Sequence, residues 1–246
     1  MQKEIPVECD PVKQMGLYHY WRKSKDVNSF LKSEAYATMY LWNELYQLPY
    51  RNFLVKFLQR LGVKEKSFTI KNLGFEPKLH LNKTPVIRPD VLIQSDKNVV
   101  VFEFKNSEKK GKFQKEQIPR EYFAGLKIAN GKPVYLILVT DEEFADGEEA
   151  SVMIDGKGRK IPWLEIEDNA KKFLRREKEL KKPFEKHFSK DKIIVISWRK
   201  FRNAIYIQLG SSKKHAGNKD LEDIYDRVMS RIKCFVQTRK GLYSKI

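Results

Sequence analysis

The amino-acid sequence predicts an α/β fold, in which helices and strands alternate around a central sheet. Short apolar runs of strand length, rich in β-branched residues, occur at 91–93, 99–104 and 134–139. Longer segments with apolar residues three or four positions apart lie before and between these runs. Residues 33–140 therefore give the order helix, three strands, helix and strand, which is typical of the α/β class.

The elements before the central strands follow from their apolar spacing and their end signals. Residues 1–32 are interpreted as a lead-in, and a first helix is predicted over 33–48 because a serine that can cap it stands at its start and a proline follows its end. A second amphipathic helix is predicted over 51–61. Short strand candidates follow at 68–70 and 73–81.

Glu34 lies on the apolar stripe of the first predicted helix, together with Leu41 and Leu45. An acid in that position needs a partner when it is buried. The alternative is a solvated carboxylate in the first turn, which the helix dipole favours. Both interpretations of Glu34 remain open from the spacing alone.

The central strands predict a β-hairpin that brings two acids together. Asp90 stands at the start of the apolar run 91–93, and a polar turn separates this run from 99–105. Because strand side chains alternate, Glu103 and Lys105 project from the same face of the second strand. The hairpin is expected to place Asp90 beside Glu103.

Asp90, Glu103 and Lys105 form a combination with a specific chemistry. Two carboxylates provide the oxygen ligands that Mg²⁺ prefers, and Mn²⁺ takes the same kind of ligand. Such a cation polarises a phosphate and lowers the pKa of a bound water, while an adjacent lysine orients that water or offsets developing charge. The pattern predicts metal-dependent cleavage of phosphodiester bonds.

At Pro89-Asp90 and Glu103-Phe104-Lys105 the chain resembles the PD-(D/E)XK nuclease superfamily. The resemblance covers residues 33–140, which would form the nuclease core, with 141–246 as a C-terminal α/β elaboration of the same domain. It implies a restriction-endonuclease-like fold with an αβββαβ core and a mixed central sheet. It also implies hydrolysis of DNA, expected to be endonucleolytic, with Mg²⁺ or Mn²⁺ as cofactor.

The resemblance suggests two further site residues. A glutamate on the first core helix often completes the metal site in this superfamily, which indicates Glu34, with Glu44 as the alternative. Gln117 resembles the polar residue that supports the catalytic lysine or water after the ExK motif. Some relatives carry this residue as QxxxY, whereas here Tyr122 follows Gln117 by five positions and Pro119 intervenes.

The charge of the chain favours a polyanionic partner. Its 49 Lys and Arg residues exceed its 32 Asp and Glu residues, which gives a formal net charge of +17. DNA is the expected partner, although charge does not distinguish it from RNA. Solvated surface lysines are the alternative explanation. The candidate nucleic-acid-binding residues are Lys109, Lys110, Lys112, Arg199, Lys200, Arg202, Lys213 and Lys214.

The predicted elements of the C-terminal part are more varied. In chain order they are an acidic loop over 141–149, a charged helical stretch over 163–187 interrupted at Pro183, a strand over 192–198, a basic turn, a strand over 204–209, a mobile loop over 210–219 and a helix over 221–232.

Several other classes of protein do not suit the sequence. Cys9 and Cys234 belong to no CxxC pair and the four histidines are scattered, so neither a disulfide framework nor a zinc site is expected. The chain has no apolar run of the ~20 residues that span a bilayer, and no signal peptide is recognisable at its start. We expect an intracellular protein, cytoplasmic or nucleoid-associated, without a membrane partner.

Two non-enzymatic alternatives remain open from the sequence. The chain can keep the nuclease fold and bind nucleic acid without turnover, or it can act as a subunit of a larger assembly with the charged stretch 171–186 as a docking face. A homodimer is compatible with each of these functions.

Overall fold

A computed structural model of the chain describes residues 40–42, 44–45, 48, 50–75, 77–81, 86–105, 116–140, 152–154, 159–161 and 163–240. Several predictions lie outside these residues and stay predictions. They concern Glu34, most of the first predicted helix, Lys109, Lys110, Lys112 and the acidic run 141–149.

The described chain forms a five-stranded mixed sheet with helices on both faces. The strands of this sheet are β1 (Ile70–Phe75), β2 (Val91–Ser95), β3 (Val99–Phe104), β4 (Val134–Thr140) and β7 (Ile193–Ser197). Two further strands, β5 (Val152–Ile154) and β6 (Arg159–Ile161), lie outside it. The sheet order is β1-β2-β3-β4-β7, in which the first two pairs are antiparallel and the last two are parallel. The predicted α/β class with a mixed central sheet is confirmed. Strands β5 and β6 form a separate two-stranded ribbon that the sequence did not predict.

The starts and ends of the helices follow from residues that favour capping or a left-handed backbone conformation. They are α1 (Tyr50–Leu61), α2 (Gln117–Ala129), α3 (Trp163–Arg176), α4 (Lys181–His187), α5 (Trp198–Lys214) and α6 (Lys219–Lys240). Helix α1 stops at Gly62, whose φ of 115° suits glycine. Helix α5 starts after Ser197, whose side chain accepts a hydrogen bond from the backbone N–H of Lys200 at 3.1 Å. Among the described residues, no helix is long and apolar enough to cross a membrane.

Strand β3 is the centre of the fold and is buried along its whole length. Its residues Val100, Phe102 and Phe104 face a core formed with α1, α5 and α6. Val99 and Val101 face a second core formed with α2, α3 and α4. The predicted alternation is therefore confirmed, and Glu103 points towards the layer that contains α2.

The structure corrects the predicted strand at 204–209. These residues lie inside α5, as does the predicted basic turn with Arg199, Lys200 and Arg202. The helix also continues to Lys214, so the loop predicted over 210–219 is helical in its first half.

The error has a physical reason in the apolar run around Ile205. A strand pattern would bury Ile205 and Ile207 on one face, but the side chain of Ile207 is 56% exposed. The buried positions are instead Phe201, Ala204, Ile205 and Leu209, whose spacing of three and four is that of one helix face.

The interruption of the helical stretch 163–187 was also placed wrongly. Helix α3 ends at Arg176, and a 3₁₀ turn at Lys178–Leu180 precedes α4. Pro183 lies in the first turn of α4, where a missing backbone N–H costs nothing because that donor has no intrahelical acceptor.

Candidate active site

The hairpin of β2 and β3 brings Asp90 to the end of β3, as predicted. Val91 pairs with Phe102 in the antiparallel ladder, so the next position along it sets Asp90 against Glu103. Asp90 Oδ2 accepts a hydrogen bond from the backbone N–H of Phe104 at 2.7 Å. This bond holds the carboxylate against the strand that carries Glu103 and Lys105.

Glu103 is the buried acid at the centre of the site, and only 4% of the residue is exposed. Its Oε1 accepts hydrogen bonds from Lys105 Nζ, at 2.5 Å, and from Gln117 Nε2 at the start of α2. Its Oε2 is buried and has no hydrogen-bond partner among the described residues. Lys105 and Gln117 therefore meet at one carboxylate oxygen of Glu103.

The site holds Glu103 in an unfavourable environment. Burial raises the pKa of its carboxyl above the ordinary value, and the nearby Lys105 ammonium is the largest opposing influence. Two donors on one oxygen orient the carboxylate without satisfying the other oxygen. Such an arrangement costs folding free energy and is common where a protein keeps a group for function.

A second buried acid, Glu121, was not predicted as a site residue. It lies one turn after Gln117 on α2 and is only 2% exposed. Its Oε1 is 3.6 Å from Arg120 Nη2, and its Oε2 is buried without a hydrogen-bond partner among the described residues. The spacing of four from Gln117 was the available signal, since it places both side chains on one helix face.

Glu103 and Glu121 influence each other electrostatically. Burial and, to a smaller extent, the negative charge of Glu103 raise the pKa of Glu121 to about 8, although Arg120 and Lys105 act in the opposite direction. The two carboxylates therefore repel each other when both are charged.

The ends of β4 and β7 complete this edge of the sheet. Lys105 N–H donates to the carbonyl of Val139 at 2.8 Å, and Trp198 Nε1 donates to the carbonyl of Lys105 at 2.7 Å. Thr140, which follows Val139, has a buried hydroxyl oxygen without a partner in the described part of the chain. Trp198 thereby ties the start of α5, with its exposed residue Lys200, to the strand end that carries the site.

The other predicted site residues lie apart from this cluster or outside the described chain. Glu44 is buried and its Oε2 is 3.5 Å from Arg231 Nη1 of α6. Lys213 pairs with Asp226 across the α5–α6 connection at 2.6 Å. Arg202 is half-buried on α5. Within the described ranges, no group of three or more His, Cys, Asp or Glu side chains is arranged to hold a metal ion.

The fold and the site together define an α/β protein with a buried glutamate held by a lysine and a glutamine at the end of a central strand. Comparisons of the chain with protein-family models, curated proteins and solved structures return no match. The function must therefore be inferred from the chemistry of the site itself.

Proposed function

We propose that the chain is a metal-dependent nuclease that hydrolyses DNA phosphodiester bonds, with a restriction-endonuclease-like fold. The observation that carries the proposal is Glu103, a buried carboxylate oriented by Lys105 and Gln117 whose second oxygen has no partner among the described residues. Asp90 is held beside it by the N–H of Phe104.

The donor set fits a hard divalent cation. Mg²⁺ prefers carboxylate oxygens, and it is usually bound by one or two of them together with water and substrate phosphate. Asp90 and Glu103 would hold it, because the unsatisfied Oε2 of Glu103 provides a buried oxygen ligand. When bound, such a cation polarises the phosphate and lowers the pKa of an attacking water.

The residues of the chain have distinct roles in this proposal. Lys105 keeps its ammonium at 2.5 Å from Glu103, and its side chain is 20% exposed, so solvent and substrate can reach it. From there it would orient the water or stabilise negative charge on the phosphate. Gln117 would act as a positioning residue, because its amide fixes the orientation of the Glu103 carboxylate.

The order of the elements supports the fold assignment. Helix α1, strands β1 to β3, helix α2 and strand β4 follow one another in the order expected for an αβββαβ core. Strand β3 is parallel to β4 and antiparallel to β2, so the proposed acids lie at one end of a mixed sheet.

The distribution of charge supports a nucleic-acid substrate. The chain carries a net charge of +17, although the cluster around Glu103 is acidic. Arg199 and Lys200 follow Trp198 directly, and Trp198 is anchored to the carbonyl of Lys105. A phosphate backbone entering the site would therefore pass close to basic side chains, which position a duplex without reading its sequence.

The proposal is tested by incubating supercoiled and linear DNA with the protein in Mg²⁺, Mn²⁺ or EDTA. Wild type should nick the supercoiled form only when a metal is present. Lys105→Ala and Glu103→Gln should each lower the rate by at least about 10²-fold, the lower limit for the loss of one preorganised group that stabilises charge in the transition state. Lys127→Ala is the control, because Lys127 lies near the other end of α2, where its ammonium is 3.9 Å from the Glu179 carboxylate.

Cleavage by wild type that persists in EDTA would contradict the metal requirement. DNA binding without cleavage in either metal would instead identify a non-catalytic nucleic-acid-binding protein.

A further inference from the structure

Glu121 is a buried acid that the proposed reaction does not use. Helix α2 runs antiparallel to β3: Gln117 reaches Glu103, whereas a Cβ added at Gly125 would lie 2.9 Å from Val101 Cγ2. Glu121 is midway between Gln117 and Gly125, so it lies over the same strand, one helical turn further into the protein. Its side chain therefore borders the site from the α2 side.

The surroundings of Glu121 do not satisfy its carboxylate. The only ion pair on Oε1 among the described contacts is with Arg120 Nη2 at 3.6 Å, longer than the ~2.7–2.9 Å of a good charge-assisted hydrogen bond. Its Oε2 has no hydrogen-bond partner among the described residues, and only 2% of the residue is exposed. Arg120 Nε is also buried without a partner. A buried ion pair with this geometry contributes little to stability, because the attraction between the two charges does not offset the cost of removing them from water.

Glu103, on the strand over which α2 lies, also has a buried carboxylate oxygen that is not satisfied. Both acids therefore carry a buried Oε2 without a hydrogen-bond donor in the described part of the chain, and each carboxylate lies within the electrostatic influence of the other. A single hard cation bound between the two carboxylates would satisfy both oxygens and remove their repulsion.

We propose that Glu121 is a further ligand of the divalent cation, bound together with Glu103. This inference rests on the proposed metal-dependent function and adds a ligand from α2 to it. Mg²⁺ is usually held by one or two carboxylates and keeps several waters, so Glu103 and Glu121 suffice as protein ligands. The described side chains of Asp90, Glu103 and Glu121 are not arranged as a cage of three acids.

The charges of the cluster agree with this role. Asp90, Glu103 and Glu121 carry three negative charges when ionised, against the positive charges of Lys105 and Arg120. Their sum leaves one negative charge, which a divalent cation converts to one positive charge. The loaded site then complements the single negative charge of a phosphodiester.

The test measures Mn²⁺ affinity directly, by titration calorimetry at constant pH in the absence of DNA. Wild type should bind Mn²⁺, Glu103→Gln should abolish binding, and Glu121→Gln should raise the Kd at least about tenfold, the smallest loss usual for groups around a metal. Glu177→Gln is the matched control, because Glu177 is also fully buried but lies away from the site. It adjoins the 3₁₀ turn whose Glu179 contacts Lys127, and Lys127 is ten residues along α2 from Gln117.

A structural role for Glu121 gives a different pattern of results. If Glu121 only held Arg120, its replacement would lower the melting temperature in EDTA and leave the Mn²⁺ affinity unchanged. A metal ligand gives the reverse, with unchanged or higher melting temperature in EDTA and weaker binding. Glu121→Asp, which keeps the charge, should restore part of the affinity lost in Glu121→Gln and also tests the proposal if the glutamine variant does not fold.

The two levels of inference fail separately. Wild-type affinity in Glu121→Gln together with lost binding in Glu103→Gln would overturn the role of Glu121 and leave the proposed nuclease site standing. Absence of Mn²⁺ binding in wild type would overturn both.

Discussion

Gly125 lies where α2 packs directly against the sheet, and replacing it tests how tightly the helix that carries Gln117 is held. A Cβ at this position would lie 2.8 Å from Val134 Cγ1 and 2.9 Å from Val101 Cγ2. Both valines are fully buried in central strands and have stiff side chains. The strands therefore cannot yield, and α2 has to move outward in Gly125→Ala.

The size of the effect follows from two opposing contributions. Overpacking a core by a methyl group costs about 1–3 kcal/mol, whereas alanine gains up to about 1 kcal/mol over glycine inside a helix. We expect a net loss of about 1–2 kcal/mol in the free energy of unfolding, or a fall of about 2–8 °C in melting temperature for a chain of this size.

Gly210→Ala is the matched control, because Gly210 also lies inside a helix but has no atom within 4 Å of the added Cβ. This variant should be as stable as wild type or more stable, by up to about 1 kcal/mol. Urea denaturation of both variants measures the difference. Equal stability of the two alanine variants would show that α2 does not press on β3 and β4 as described.

Three further predictions concern pH, anchoring and substrate binding. Burial lowers the pKa of His187, so His187 takes up a proton more readily in the unfolded chain than in the folded protein. The free energy of unfolding should therefore fall as the pH decreases below about 6.5. Urea titrations of His187→Gln should show a weaker decline. Trp198→Phe removes the donor to the Lys105 carbonyl and should lower the free energy of unfolding by about 1 kcal/mol and reduce turnover. Replacing Lys109, Lys110 and Lys112 by Gln should weaken DNA binding and reduce the log–log salt slope by about 0.9 per lost phosphate contact, whereas an unchanged slope in binding titrations would place the phosphate contacts elsewhere.

The central strands could be predicted because one physical rule determines them. A strand buried on both faces has to alternate its side chains between two cores, so the position of Glu103 follows from that of Phe102 and Phe104. The hairpin followed from the polar turn between two apolar runs. These local patterns were sufficient to bring Asp90, Glu103 and Lys105 to one end of the sheet.

The contacts between elements could not be read in the same way. Gln117 was proposed by resemblance, but its bond to Glu103 depends on how closely α2 packs, which Gly125 determines. Glu121 shares a helix face with Gln117, yet nothing in the sequence distinguishes its buried carboxylate from a solvated one. The pairing of Glu44 with Arg231, 187 residues later, likewise depends on tertiary packing.

The middle of α5 shows where local patterns mislead. Ile205-Tyr206-Ile207 has the composition of a strand, because β-branched and aromatic residues favour extended structure. The cap at Ser197 and the apolar spacing over the longer segment favour a helix instead, and burial against α1 and α6 decides the outcome.

The central claim is that Glu103 belongs to a divalent-cation site at the end of β3. It is tested most directly by an anomalous difference map from crystals of the protein soaked in Mn²⁺. We predict a peak about 2 Å from Glu103 Oε2 and from a carboxylate oxygen of Asp90, lost in crystals of Glu103→Gln. A well-ordered map in which Mn²⁺ is absent from Glu103, or bound only at other acids, would contradict the claim.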